Sequence, residues 1–472
     1  MLPSKEHDPQ RCGDHELGSF QKGRHVEEED HVVKKKPRCE NREDAGAWFL
    51  LARVCLFNAI TSLNFSSFGF LYVEYTTYFD APKADVGWVP AIQSTVQSFA
   101  TILVSPLVER WGCAKVGAMG SFLLALGTGL ASLASNVSFL QITQGFIGGV
   151  GLSMTLMPSV IIIQQHFTRS RALANGVGML GWSFGYIAGP IIMQTLLEAF
   201  SWRGTLLMMS AILLHRVPLA LSFWAPQNPP KASKNLDCSG RLKAMFDFSV
   251  LRHPAFVIFW WSEFFAKIYI VAFPNHLPSY TIHNGYTIGD ATTFASLIYI
   301  FNTVFRVLLT FVSDFFNRVL LYFVGTLFGV LAISAMLLMK SYEGLIVASV
   351  FSGAVIGVCN TLPVVILVDF LGVESLTKTF ALLNIGVGIS SLIATPLCGF
   401  IFDMTMNYDL SFLAIGCAAL LGAATCGVAW VLHGPSIFLR KNLTEDHNKS
   451  CPNEQHSVTS LADIAHSGKI LS

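Results

Sequence analysis

An arginine sits near the middle of an otherwise apolar run, Phe294-Ala-Ser-Leu-Ile-Tyr-Ile-Phe-Asn-Thr-Val-Phe-Arg-Val-Leu-Leu-Thr-Phe-Val-Ser-Asp314, that is long enough to cross a bilayer. Insertion scales put an arginine at that depth at about +2.5 to +3.5 kcal/mol, so Arg306 is expected to face a cavity or a partner rather than lipid. Asn302 stands four residues earlier, one helical turn away on the same face. A guanidinium fork beside a neutral carboxamide suits an anionic or zwitterionic ligand, because the fork can hold two carboxylate oxygens. The alternative is that Arg306 snorkels to the surface or pairs with a structural carboxylate.

Other polar residues in apolar surroundings invite the same question. Glu263 and Lys267 are spaced i,i+4 and can neutralise each other on one helix face, as a structural pair or as part of a site. If their helix starts at residue 255, Glu263 lies about 12 Å deep, and Arg306, counted back from Asp314, lies about 12 Å above the same surface. Glu263 is therefore also a candidate counter-ion for Arg306, with Lys267 competing for it. Asn360 and Asn384 are uncharged and can line a cavity or bond across helices. Arg53 and Arg216 lie where a long side chain can snorkel. No Ser-His-Asp set, metal-ligand cluster or paired carboxylates stands out in the apolar region, and no phosphate-binding glycine loop occurs. No enzyme activity, metal or cofactor is expected.

The elements that carry these residues must be solvated by lipid. Hydrophobic residues are 52% of the chain and charged residues 13%, with a mean hydropathy of +0.53, too apolar for 472 residues to hide in one soluble core. A net charge of +1 gives no basic field for nucleic acid. The ten cysteines contain no Cys-x-x-Cys pair, so neither a disulfide framework nor a metal knuckle is implied.

Apolar segments of spanning length fall at about 47–72, 87–108, 116–135, 139–162, 172–197, 204–225, 255–279, 291–313, 319–339, 345–368, 379–402 and 410–433. The expected architecture is an all-α polytopic membrane protein with twelve transmembrane helices. Its parts are a disordered polar N-terminal tail (1–46), a six-helix bundle (47–225), a basic central loop (226–254), a second six-helix bundle (255–434) and a polar C-terminal tail (435–472). With both termini cytosolic, the inside loops carry Arg110, Lys115, Arg169, Arg171, Lys231, Lys234, Arg241, Lys243, Arg252, Arg318 and Lys378. The outside loops carry Lys83, Arg203 and Lys340, and this asymmetry sets the orientation.

The segment after the second span, Ser105-Pro-Leu-Val-Glu-Arg-Trp-Gly112, and the segment after the eighth, Asp314-Phe-Phe-Asn-Arg318, resemble the loop motif of the major facilitator superfamily. That likeness implies a conformational latch at Glu109, Arg110, Asp314 and Arg318. His166-Phe-Thr-Arg-Ser-Arg-Ala-Leu-Ala-Asn-Gly176 with Gly181, Ser201-Trp-Arg-Gly204 and Gly399-Phe-Ile-Phe-Asp-Met-Thr-Met-Asn-Tyr-Asp-Leu-Ser-Phe412 resemble the monocarboxylate transporter family within that superfamily. The stripe Gly181-x-x-x-Gly185-x-x-x-Gly189 lets another helix approach closely.

The resemblance implies a major facilitator fold and alternating access around a site between the bundles. It further implies a small carboxylate-bearing or zwitterionic substrate bound by Arg306, Asn302 and Ser66, a plasma-membrane location, and a single-span glycoprotein chaperone as partner besides the lipid bilayer. In the family register Ser66 stands where proton-linked members carry lysine, and Asn302 where they carry aspartate. Transport without strict proton coupling is expected. The alternatives are a proton-linked symporter using another group, and a receptor or sensor built on a carrier fold.

Overall fold

The computed structural model of the chain describes residues 45–450 apart from 67, 168–170, 224–247, 314 and 372–375. Most of the expected N-terminal tail, central loop and extreme C-terminus lies outside the described residues, as do Asp314 and Arg169. No strand occurs among the described residues. The helices are α1 (Ala45–Ser66), α2 (Phe68–Phe79), α3 (Lys83–Trp111), α4 (Cys113–Ala131), α5 (Gly148–His166) and α6 (Arg171–Leu214) in the first half. The second half contains α7 (Pro254–His283), α8 (Ile288–Val312), α9 (Arg318–Met339), α10 (Tyr342–Leu371), α11 (Leu376–Thr405) and α12 (Tyr408–Ser450). A short helix and a π-helical turn, Gln141–Ile147, precede α5, and a short helix, Arg216–Leu221, follows α6.

Ten segments among the described residues are long and apolar enough to span a bilayer. Two of the twelve expected crossings are not separate members of that set, for different reasons. Gly176–Leu221 covers two expected crossings in 46 residues and is broken at Ser201, whose φ of 55° and ψ of 174° leave the helical region. The other case is α3, which falls on the second expected crossing but is less apolar. Gln93, Ser94, Gln97 and Ser98 interrupt it at spacings that put them on one face. The last helix continues to Ser450, past the boundary expected at residue 434.

Leu338, Phe311 and Leu133 are 83%, 67% and 68% exposed, so the exterior is apolar and suited to lipid. With lipid outside, helices associate through close packing rather than through hydrophobic transfer. The glycine stripe of α6 provides that packing. A Cβ on Gly181, Gly185 or Gly189 would stand 2.1 Å from the Cys55 carbonyl oxygen, 1.9 Å from that of Ala59 and 1.8 Å from the Ser66 hydroxyl. Only glycine lets α6 lie on α1 at this distance.

One core in the second half is built on Phe256, Phe259, Tyr269, Phe273, Tyr322 and Phe412. The first half has one core near its Lys83 end, including Phe70, Tyr72, Tyr75 and Trp202, which takes in Ala291 and Ala295 of α8. Its other main core, around Leu50, Phe57, Val104, Ile162 and Phe223, contains only first-half residues among those described. The two bundles thus share packed core at the Lys83 face of the molecule.

Candidate functional site

Between the bundles lies a cavity of about 280 Å³. A cavity of this size suits one small organic molecule. From the first half, Gln93, Ser94, Gln97 and Ser98 of α3 line it together with Phe65, Phe68 and Tyr186. From the second half come Lys267 and Asn275 of α7, Tyr299 of α8, Asn360 of α10, and Asn384 and Ser391 of α11. Tyr186 and Tyr299 stack across the bundle boundary, with ring centroids 4.9 Å apart and planes 10° from parallel. One wall is therefore carboxamide and hydroxyl, and another is aromatic.

Lys267 is the cation among the described lining residues. Its Nζ donates to Asn360 Oδ1 at 2.9 Å and to the Cys359 carbonyl at 3.3 Å, and lies 3.9 Å from Glu263 Oε2. Glu263 itself is buried beside Tyr322. Of the two cations that compete for Glu263, the structure brings Lys267 to it. Arg306 is partly buried and interacts electrostatically with Tyr186 of the lining.

Asn302 is buried where α8 meets α10, its backbone within 3.0 Å of where a Cβ on Gly353 or Gly357 would be. Ser66 is buried against Gly189 and bonds to the Leu63 carbonyl. Arg306, Asn302 and Ser66 are not among the described residues that line the cavity. Asn360 and Asn384 are, and Asn384 also donates to the Phe380 carbonyl at 2.9 Å. The polar face of α3 was missed by sequence reasoning. Its signal was available as polar residues at i, i+1, i+4 and i+5 inside a spanning segment.

The cavity is closed toward the Lys83 face by contacts between bundles. Asp403, in the last turn of α11, accepts from the backbone N–H of Lys83 at 3.0 Å and of Ala84 at 2.8 Å, the first residues of α3. Pro82 gives α3 no side-chain cap, so the cap comes from the other bundle. The Lys83 ammonium bonds to the Tyr408 hydroxyl and lies 3.4 Å from the Phe402 ring centroid. Burial pushes that ammonium down to about 8, against the opposing pull of Asp403. The Tyr72 hydroxyl donates to the Lys83 carbonyl at 2.7 Å, and its ring meets His276 of α7 edge-on at 4.8 Å. Glycines bring the helices together here. A Cβ on Gly399 would lie 2.7 Å from Ala84 N, and one on Gly87 would lie 3.1 Å from the Pro396 Cα.

Of the latch residues, Arg318 donates from Nη1 to both carboxylate oxygens of Asp369, at 2.8 and 3.0 Å. Asp369 lies near the end of α10 and had not been singled out. Arg110 is exposed, and the side chain of Glu109, like Asp314, lies outside the described residues. Arg216 corrects an expectation. It does not snorkel but is fully buried, with its guanidinium 4.2 Å from the Phe57 ring centroid. Its surroundings are helix core, and an aromatic face stands in for water around the cation.

Two helical halves around a polar cavity are the architecture of a membrane carrier. The family model of the Major Facilitator Superfamily matches residues 54–341 and 285–459, and the chain belongs to that family. It is a divergent member similar to the monocarboxylate transporters. Monocarboxylate transporter 13 of Bos taurus is 26% identical over 398 residues, covering 82% of this chain and 90% of the relative. Monocarboxylate transporter 6 of Homo sapiens is 26% identical over 431 residues, covering 82% and 81%.

Among solved structures, the nucleoside transporter NupG has the same fold, with a TM-score of 0.66 at 14% identity, covering 82% of this chain and 99% of that one. A bacterial homologue of the human lysosomal transporter Spinster, inward-facing and unoccupied, matches with a TM-score of 0.63 at 15% identity, covering 84% and 97%. The protein is an integral multi-pass membrane protein and a secondary transporter of small organic solutes.

Proposed function

We propose that the protein moves a small carboxylate-bearing organic solute across the membrane by alternating access, without strict proton coupling. The observation that carries this reading is a cavity between the bundles that offers a lysine, carboxamides and stacked tyrosines. The names of the relatives, monocarboxylate transporters, support the carboxylate. With both termini cytosolic, as the loop charges favour, the Lys83 face is extracellular and the site is shut to the outside. The proposed location is the plasma membrane, and a single-span glycoprotein is a proposed chaperone by family resemblance.

Arg306, with Asn302 beside it, is proposed to engage the carboxylate when Tyr186, which lines the cavity and interacts with Arg306, moves in the transport cycle. Arg306→Lys should then reach the cell surface yet lose most uptake, because a point charge cannot replace a planar fork. Normal flux with unchanged affinity in that variant rules the role out. Neither Ser66 nor Asn302 titrates near neutrality, so uptake corrected for substrate ionisation should depend weakly on an imposed pH gradient.

A proton-linked symporter is the second reading, favoured by one observation. Glu263 is a buried carboxylate beside a lysine that lines the cavity. Uphill accumulation driven by external acid, with matching cytosolic acidification, would establish it. Saturable binding without flux would instead mark a sensor.

A further inference from the structure

The cavity contains a charge distribution that the resemblance to the monocarboxylate transporters does not explain. The ammonium of Lys267 opens onto the cavity from α7, and its two hydrogen bonds go to neutral acceptors, the Asn360 carboxamide and the Cys359 carbonyl. An ammonium has three donors, so one is left for a ligand. The Glu263 carboxylate stands 3.9 Å away, beyond hydrogen-bond distance, and is 1% exposed, so it offsets the charge from behind without covering it. An anion entering the cavity meets Lys267 before it meets any other described cation.

The rest of the lining mixes apolar side chains, among them Phe65, Ile270, Val271, Ile356 and Val387, with more carboxamides and hydroxyls than an alkyl chain can use. Gln93, Ser94, Gln97 and Ser98 project from one face of α3, and Asn275 and Asn384 face the same space. Gln93 is 5% exposed, and its Nε2 has no hydrogen-bond partner among the described residues. Buried carboxamides left unmatched by a ligand cost free energy, and a site built to hydrogen-bond discriminates strongly against analogues that cannot do so.

We propose that Lys267 holds the substrate's carboxylate and that the carboxamide wall selects carboxylates bearing hydroxyl, amide or amino groups along the chain over plain alkyl acids. The proposal rests on the carrier reading and adds the substrate class and the residues that set it. Lys267 acts with, and apart from, Arg306: it is the anchor in the conformation closed at the Lys83 face.

The test uses the full chain, purified in detergent and reconstituted in liposomes. Binding is read as ligand-induced thermal stabilisation with glycerate and threonate, against butyrate and hexanoate, and uptake is read with the same acids. The hydroxylated acids should bind wild type at least tenfold more tightly than the alkyl acids. Lys267→Gln should weaken the hydroxylated acids tenfold or more. That variant leaves Glu263 buried without its cation, so Lys267→Gln is also made together with Glu263→Gln, which restores neutrality and should lose affinity equally. Gln97→Leu should narrow the preference for hydroxylated over alkyl acids at least threefold.

Unchanged affinity in the neutral double variant, equal binding of both acid classes by wild type, or binding of none of the four acids overturns the proposal. Failure of the carrier reading looks different. In that case the binding preference and the Lys267 effect appear in full, but none of the bound acids enters the liposomes.

Discussion

Removing the carboxylate of Asp403 should open the Lys83 face. A carboxylate in the last turn of α11 opposes the dipole of its own helix, at a cost of about 0.3–1 kcal/mol. That cost is the same whether the bundles are joined or parted, so it drops out of the difference between the two states. What differs is the cap. In the closed state Asp403 holds the N–H groups of Lys83 and Ala84 at 3.0 and 2.8 Å, and when the bundles part, water takes its place.

A side-chain cap that adds a favourable charge to a helix N-terminus has a net value of about 2 kcal/mol at most in partly buried settings. At 1.4 kcal/mol per factor of ten, Asp403→Ala should raise the open-to-closed ratio by about thirtyfold. Asp403→Asn keeps an acceptor but loses the charge; at about half the energy, the rise is about fivefold.

The assay is the rate at which a membrane-impermeant maleimide added on the Lys83 side labels Ser94→Cys, a cavity position, in a chain whose native cysteines have been replaced. The control is Lys340→Gln. The Lys340–Asp409 pair, at 2.5 Å, lies within the second bundle, and its side chains are 61% and 33% exposed, so it is worth about 0–1 kcal/mol and should leave the rate unchanged. A labelling rate within twofold of the parent in Asp403→Ala, or one matched by Lys340→Gln, refutes the reasoning.

Three further outcomes follow from the same geometry. Gly399→Ala should also speed labelling of Ser94→Cys, because the added carbon would stand 2.7 Å from backbone atoms of Lys83 and Ala84 that cannot swing aside; an unchanged rate would mean that α11 slides without parting the bundles. Asp369→Asn should lower the thermal midpoint in detergent, since the charge-assisted bond to Arg318 is worth about 1–2 kcal/mol at its partial exposure, and exchanging the two residues should recover part of the loss. Alkaline conditions should favour closure. Burial holds the Lys83 ammonium at about 8 in the closed state, below the ordinary lysine value of about 10.4 that it regains when exposed, so the open state holds more protons between those limits. The closed population should therefore be flat below about pH 8 and rise toward pH 10, and Lys83→Met should abolish the dependence.

The sequence made the membrane architecture legible because lipid imposes a strong, local demand: about 20 apolar residues per crossing. It made Arg306, Lys267, Asn360 and Asn384 visible for the same reason, since each breaks such a run. The glycine stripe of α6 was readable as a packing face, although only the fold names α1 as its partner. What stayed hidden depends on pairings across hundreds of residues. Nothing near Asp403 in the chain announces that it caps a helix starting at Lys83; the one local sign is an acidic residue at the wrong end of its own helix. The polar face of α3 was passed over because hydropathy averages over all sides of a helix. Asp369 was passed over because a charge near a helix end is cheap in a membrane protein. Arg216 shows the limit of the snorkelling rule, which fixes how far a side chain can reach but not what packs around it.

The charges of this molecule are divided unequally, and the division explains why one pair of helices matters most. Among the described residues of the cavity and their interaction partners, the second bundle supplies the ionised groups, Lys267, Glu263 and Arg306, while the first supplies carboxamides, hydroxyls and aromatic faces. In the proposed binding mode the carboxylate of a substrate is held by one bundle and its polar remainder by the other. Of the helices that bring polar side chains to the cavity, α3, α7 and α11 also contribute to the gate, α3 and α11 through the Asp403 cap and α7 through His276. Gln93 is ten residues, or about 15 Å, from Lys83, and Ser391 is twelve residues, or about 18 Å, from Asp403. Each helix has one end in the gate and its middle in the site, with a proline between them, Pro90 in α3 and Pro396 in α11. A ligand that draws the Gln97 face of α3 toward Asn384 of α11 acts on the same two helices that Asp403 clamps. A ligand can shift this equilibrium only by its differential affinity for the two states. In the proposed binding mode a solute polar enough to bridge both walls has that differential, whereas an alkyl acid leaves the carboxamides of α3 unmatched.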